Sequence, residues 1–92
     1  MENHKSLEII KFSTAYCQPC KLLKPIFTAF KEEYPNIQFT EIDAETDEVT
    51  TQKYSIRAVP TLIFLSDGTE VGRHVGALSK EQFKAKITQS FV

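Results

Sequence analysis

The chain holds two cysteines, Cys17 and Cys20, and only Gln18 and Pro19 stand between them. They fall where a short apolar run, Leu7-Glu8-Ile9-Ile10-Lys11-Phe12, gives way to a segment with helical periodicity. A thiol pair at this spacing can close into a disulfide with little backbone movement. Its first member is expected at the N-terminal end of the helix, where unpaired backbone N–H groups and the helix dipole favour a negative sulfur. The thiolate is the form that attacks disulfides. Surroundings of this kind lower a cysteine pKa from about 8.5 to roughly 3.5–7.5, which makes Cys17 a candidate nucleophile and Cys20 the thiol that resolves the mixed disulfide.

Ninety-two residues, 41% of them apolar and including seven Phe and three Tyr, suffice for one domain around one core. Residues 7–92 are expected to form it, behind a polar tail at 1–6. Eleven basic and twelve acidic side chains leave a net charge of −1, so no overall positive field draws the chain to nucleic acid or an anionic membrane. Met1-Glu2-Asn3-His4-Lys5-Ser6 resembles neither a signal peptide nor the start of a membrane span, and the cytoplasm is the expected compartment. In a reducing compartment a lone Cys-x-x-Cys is more often catalytic or metal-binding than structural. Zinc would need four N or S ligands, and beyond the cysteines only His4 and His74 offer them. No metal site is therefore expected, and His74 reads as an ordinary surface residue.

Leu7 to Phe12 has the density and length of a mostly buried strand. From about Pro19 to Tyr34, residues Leu23, Ile26, Phe27, Phe30 and Tyr34 recur at spacings of three and four, giving a helix with one apolar face. Pro25 should kink that helix and Pro35 should end it. A second strand, Ile37 to Asp43, completes a right-handed βαβ unit, placing Cys17 at the carboxyl end of the first strand, where chemistry concentrates in open α/β sheets. A short helix is expected from about Glu48 to Tyr54. Thr61 to Leu65 and Glu70 to Val75, joined by Ser66-Asp67-Gly68-Thr69, read as a β-hairpin. Ser79-Lys80-Glu81-Gln82 is a capping box that opens a final helix with Phe83 and Ile87 on its inner face.

From Leu7 to Val92 the chain resembles the thioredoxin family. The resemblance is carried by Tyr16-Cys17-Gln18-Pro19-Cys20-Lys21, Pro25, Asp43, Tyr54-Ser55-Ile56-Arg57-Ala58-Val59-Pro60-Thr61, Asp67-Gly68 and Val75-Gly76-Ala77-Leu78-Ser79. It implies a trimmed α/β thioredoxin fold, with a four-stranded mixed sheet and about three helices. It also implies Cys17 as the attacking thiolate and Cys20 as the more buried resolving thiol. Pro60 matches the family's cis-proline, facing the disulfide across a cleft. Val59, Gly76 and Ala77, with Tyr16, match the surface on which an extended substrate segment lies, a small case of β-augmentation. Tyr16, Gln18, Pro19, Pro60 and Lys11 are the positions expected to tune the thiols.

The chain departs from the family in four ways. Full-length members begin with an additional strand and helix, whereas Met1 to Ser6 alone precede the first strand here. Tyr16-Cys17-Gln18-Pro19-Cys20 replaces Trp-Cys-Gly-Pro-Cys, and the chain has no tryptophan. Where the family commonly holds a buried aspartate beneath the second cysteine, this chain has Lys11, and the lysine that partners that aspartate is Phe39. Lys11 either snorkels to solvent or sits beneath Cys20 as a functional cation, with Glu41 on the adjacent strand as its candidate partner.

The resemblance implies a thiol–disulfide oxidoreductase that acts on disulfide-containing proteins, is recharged by a thioredoxin-reductase-type donor, works as a monomer and needs no cofactor beyond the Cys17–Cys20 disulfide. Two other readings stay open. A glutaredoxin-like enzyme suits the length, although that family's motif usually has proline directly after the first cysteine and tyrosine before the second. An interaction module with incidental thiols is the non-enzymatic alternative.

Overall fold

The computed structural model describes residues 5–91 of the chain. The elements run β1 Leu7–Ser13, α1 Gln18–Glu33, β2 Ile37–Asp43, α2 Glu48–Lys53, β3 Thr61–Ser66, β4 Thr69–Val75 and α3 Lys80–Phe91. Four strands form one sheet in the order β2-β1-β3-β4. β1 pairs parallel with β2, through the crossover helix α1, and antiparallel with β3, while β3 and β4 form the hairpin. This is the mixed sheet expected from a βαβ unit followed by a hairpin.

Local chemistry explains most boundaries. Pro19 stands in the first turn of α1, where a missing N–H costs nothing, and α1 continues through Pro25 to Glu33. Tyr34 is its C-cap, donating its N–H to the Phe30 carbonyl at 2.9 Å. Pro35 bars the helical conformation at the residue before it. The hairpin turns on Asp67 and Gly68, with φ of 52° and 81°, the two positive values a two-residue type I′ loop requires. Ser79 and Gln82 close the capping box in both directions: the Ser79 N–H donates to Gln82 Oε1 at 2.8 Å, and the Gln82 N–H donates to Ser79 Oγ at 3.1 Å.

Apolar residues fill both faces of the sheet. On one face Ile9, Phe39, Leu62 and Phe64 meet Leu23, Phe27 and Phe30 of α1 and Phe83 and Ile87 of α3. The Phe83 ring stacks on Phe30 at 4.7 Å and meets Phe64 edge-on at 6.3 Å, which locks α1, α3 and β3 together. On the other face Ile10, Phe12, Ile63 and Leu65 pack with Tyr54, Ile56 and Val59. Alternation along β1 sends Ile9 and Lys11 toward α1, and Ile10 and Phe12 away from it. Of the tail expected at 1–6, residues 1–4, His4 among them, lie outside the described residues. Ser6 exchanges two backbone-anchored hydrogen bonds with Asp67: its N–H donates to Asp67 Oδ1, and its carbonyl accepts from the Asp67 N–H, both at 2.8 Å.

Candidate active site

Where β1 ends, the chain turns through Ala15 and Tyr16 and enters α1 with Cys17 as its N-cap. Cys17 has extended backbone angles (φ −93°, ψ 112°), and its sulfur accepts the Cys20 N–H at 3.1 Å. Serine or aspartate satisfies a helix N-terminus in the same way, so here the sulfur occupies the place where an anion is favoured. Cys17 and Cys20 are joined as a disulfide, with Cα atoms 5.2 Å apart. Cys20 is 4% exposed, whereas Cys17 is half-buried. The difference in access distinguishes the two sulfurs.

Across the cleft lies the loop that enters β3. The Val59–Pro60 peptide is cis, as expected, and the Val59 carbonyl oxygen stands 3.7 Å from the Cys17 sulfur. Thr61 holds this loop by donating its hydroxyl to the Ala58 carbonyl at 2.6 Å. The Gly76 N–H donates to the Pro60 carbonyl at 2.8 Å, tying the end of β4 to the same loop. Gly76 has φ +98°, which only glycine adopts without strain. Cys17, Val59, Pro60 and Gly76 are thus brought together from three parts of the chain. Tyr16 is 89% exposed and stands beside Cys17, while Gln18, Pro19 and Ala77 are exposed around the same rim.

Lys11 lies on the other side of the disulfide. Its side chain is 2% exposed, its Nζ is 3.7 Å from Glu41 Oε1, and it sits 4.8 Å from the centre of the Phe27 ring. The expectation of a Glu41 partner holds, because parallel register sets Lys11 directly beside Glu41. Snorkelling to solvent does not describe so buried a side chain. Burial pulls its pKa below the ordinary lysine value, Glu41 pulls it back up and Lys24 pushes it down.

His74 corrects the sequence expectation. It is half-buried rather than an ordinary surface residue, and its Nε2 is enclosed without a hydrogen-bond partner. On β4 it lines a groove together with Leu78 and with Gln82, Ala85 and Lys86 of α3. Among the described residues no three His, Cys, Asp or Glu side chains cluster as a metal site. No helix among them is long and apolar enough to cross a membrane. Sequence reasoning missed two anchors, the Thr61–Ala58 bond and Arg73. Arg73 donates to the Tyr54 carbonyl at 2.8 Å and pairs with Glu70, joining β4 to the end of α2. Only the threonine carried a usable signal, its place directly after Pro60.

With this geometry in place, known proteins supply the family. A sequence model of the thioredoxin family matches residues 1–89. Thioredoxin from Sus scrofa is 33% identical over 85 residues, covering 92% of this chain and 80% of that protein. A putative thioredoxin H10 from Arabidopsis thaliana is also 33% identical, over 79 residues; the chain spans 51% of its length. Among solved structures, Fasciola hepatica thioredoxin superposes with a TM-score of 0.86 at 33% identity, covering 92% of this chain and 81% of that one. The shared fold, the matched sequence and the Cys17–Cys20 disulfide at the head of α1 agree: the chain belongs to the thioredoxin family of thiol–disulfide oxidoreductases.

Proposed function

We propose that this protein reduces disulfides in other proteins, with Cys17 as the attacking thiolate and Cys20 as the resolving thiol. The observation that carries the reading is the place of the Cys17 sulfur, which accepts the Cys20 N–H at 3.1 Å and lies 3.7 Å from the Val59 carbonyl. In the reduced protein the N–H and the helix dipole stabilise the Cys17 thiolate. An extended substrate segment pairs with the backbone of Val59 and approaches over Gly76 and Ala77, bringing its disulfide to Cys17. Tyr16 covers the apolar side of the substrate. Attack forms a mixed disulfide, and Cys20 then displaces the reduced substrate, leaving the Cys17–Cys20 disulfide. A dithiol donor of the thioredoxin-reductase type returns two electrons and two protons. Gln18 and Pro19, between the cysteines, and Pro60, across from them, set the balance between dithiol and disulfide.

In this reading the protein acts in the cytoplasm as a monomer, without nucleic acid or membrane partners and without a cofactor beyond its own disulfide. The test is catalysis of insulin disulfide reduction, first with dithiothreitol and then with NADPH and thioredoxin reductase. Turnover in both is expected. Failure with dithiothreitol would favour an interaction module with incidental thiols, and efficient turnover with glutathione alone would favour a glutaredoxin-like enzyme.

A further inference from the structure

Lys11 is the buried charged side chain of the described core, 2% exposed. It sits in the interior of β1, flanked in register by Leu62 of β3 and Glu41 of β2. A methionine would fill the same space without the cost of desolvating an ammonium, so packing alone gives no reason for a cation there. Its carboxylate partner is a loose one. Glu41 is 3.7 Å away and 52% exposed, and so it compensates the buried charge only in part.

What Lys11 does face is a groove of about 420 Å³ that runs under the start of α1. Cys20 is part of the same wall. The charged groups around Lys11 are Glu41 and Asp43 from β2 and Lys21 and Lys24 from α1, while its β3 neighbour, Leu62, carries no charge. Although Cys20 is 4% exposed, it shares the wall of this groove with the polar side chains of Ser13, Thr14 and Asp43.

We propose that Lys11, held by Glu41, is a positioning residue for Cys20: its ammonium stabilises the Cys20 thiolate during resolution and favours the dithiol over the disulfide. The inference deepens the reading of Cys20 as the resolving thiol and rests on it. In that step the Cys20 S–H releases its proton to water through the groove, and the freed electron pair attacks the Cys17 sulfur of the mixed disulfide. The Cys17–Cys20 bond forms, the bond from Cys17 to the substrate breaks, and its electron pair leaves on the substrate sulfur, which takes a proton from water. The cysteine pair is oxidised and the substrate reduced. A cation in the groove that Cys20 also lines lowers the cost of the first event, and wherever the pH keeps Cys20 ionised in the reduced pair, the same cation makes the disulfide easier to reduce.

The experiment uses the full chain in a Cys17→Ser background, where Cys20 is the only thiol. Thiolate ultraviolet absorbance is followed against pH with Lys11 intact, with Lys11→Met and with Lys11→Arg. Lys11→Met should raise the Cys20 midpoint by about one unit, a tenfold loss of thiolate at fixed pH, and Lys11→Arg should stay close to the parent. With both cysteines present, and at pH above the Cys20 midpoint of the parent, Lys11→Met should hold the disulfide more firmly against glutathione buffers by up to about tenfold, which is about 30 mV for two electrons. An unmoved midpoint in Lys11→Met overturns the proposal. So does a Lys11→Arg variant that follows Lys11→Met, because Lys11 would then be acting as a neutral base. Insulin reduction by the unmodified protein, run in parallel, separates the two readings. An active protein whose midpoint ignores Lys11 refutes this proposal alone, and an inactive protein whose midpoint depends on Lys11 refutes the reductase reading alone.

Discussion

The sulfur of Cys17 lies 3.7 Å from the carbonyl oxygen of Val59, although 42 positions separate the two residues. One belongs to the start of α1 and the other to the loop entering β3, and β1 and β3, antiparallel neighbours, carry them to one end of the sheet. A backbone acceptor beside an accessible sulfur is what an extended peptide needs if it is to pair with the loop and present its own sulfur at the same time.

Access to the two sulfurs predicts their order of reaction. Cys20→Ser should accumulate mixed disulfides with partner proteins, because the attacker survives and the resolver does not, while Cys17→Ser should trap almost none. Non-reducing gels after affinity capture read the difference. Limiting alkylation that modified Cys20 first in the reduced protein would reverse the assigned roles.

Gly76 should resist substitution for backbone reasons. A Cβ there meets nothing within 4 Å, but the φ of +98° is unfavourable for any side chain. Gly76→Ala is expected to cost about 1–3 kcal/mol of stability. It should also slow insulin reduction, since the Gly76 N–H is bonded to the Pro60 carbonyl. Urea midpoints and initial rates check the two effects, and an unchanged midpoint would argue that the turn relaxes freely.

Lys11 predicts a specific pH dependence of stability. Its pKa is lowered in the folded state, chiefly by burial, so between that value and the ordinary lysine value of 10.5 the unfolded chain binds the extra proton. Stability from this group therefore rises with pH across that window, and below the window the buried ammonium is a cost. Lys11→Met should be more stable than the parent at neutral pH by roughly 1–4 kcal/mol, with the gap closing as pH approaches 10.5. Denaturant unfolding of both proteins from neutral to alkaline pH measures it. A gap independent of pH would mean that Lys11 titrates alike in both states.

β2 is an edge of the sheet, with β1 as its one strand neighbour among the described residues. Exposed Glu41 and Asp43 put charge along it, which discourages edge-to-edge pairing. Sedimentation at micromolar concentration should show a monomer, and a stable dimer would contradict this.

Local chemistry made several features legible in the amino-acid sequence. The Cys17 N-cap, the Asp67-Gly68 turn and the Ser79–Gln82 box each depend on residues within a few positions of one another. The apolar spacing of Leu23, Phe27 and Phe30 depends only on helical period. Motif resemblance added the cis bond at Pro60 and the roles proposed for Val59 and Gly76. The tertiary structure decided the contacts that cross the sheet. His74 lost its surface place because α3 packs over β4, and nothing near it in the chain announces that packing. Arg73 reaches Tyr54 through the way β4 lies against the end of α2. Lys11 could be given a candidate partner in Glu41, but the depth of its burial follows from α1 lying across β1 and closing Phe27 over the side chain. Such contacts are set by register and helix packing, which sum many weak interactions over the whole domain, and no short stretch of residues encodes them.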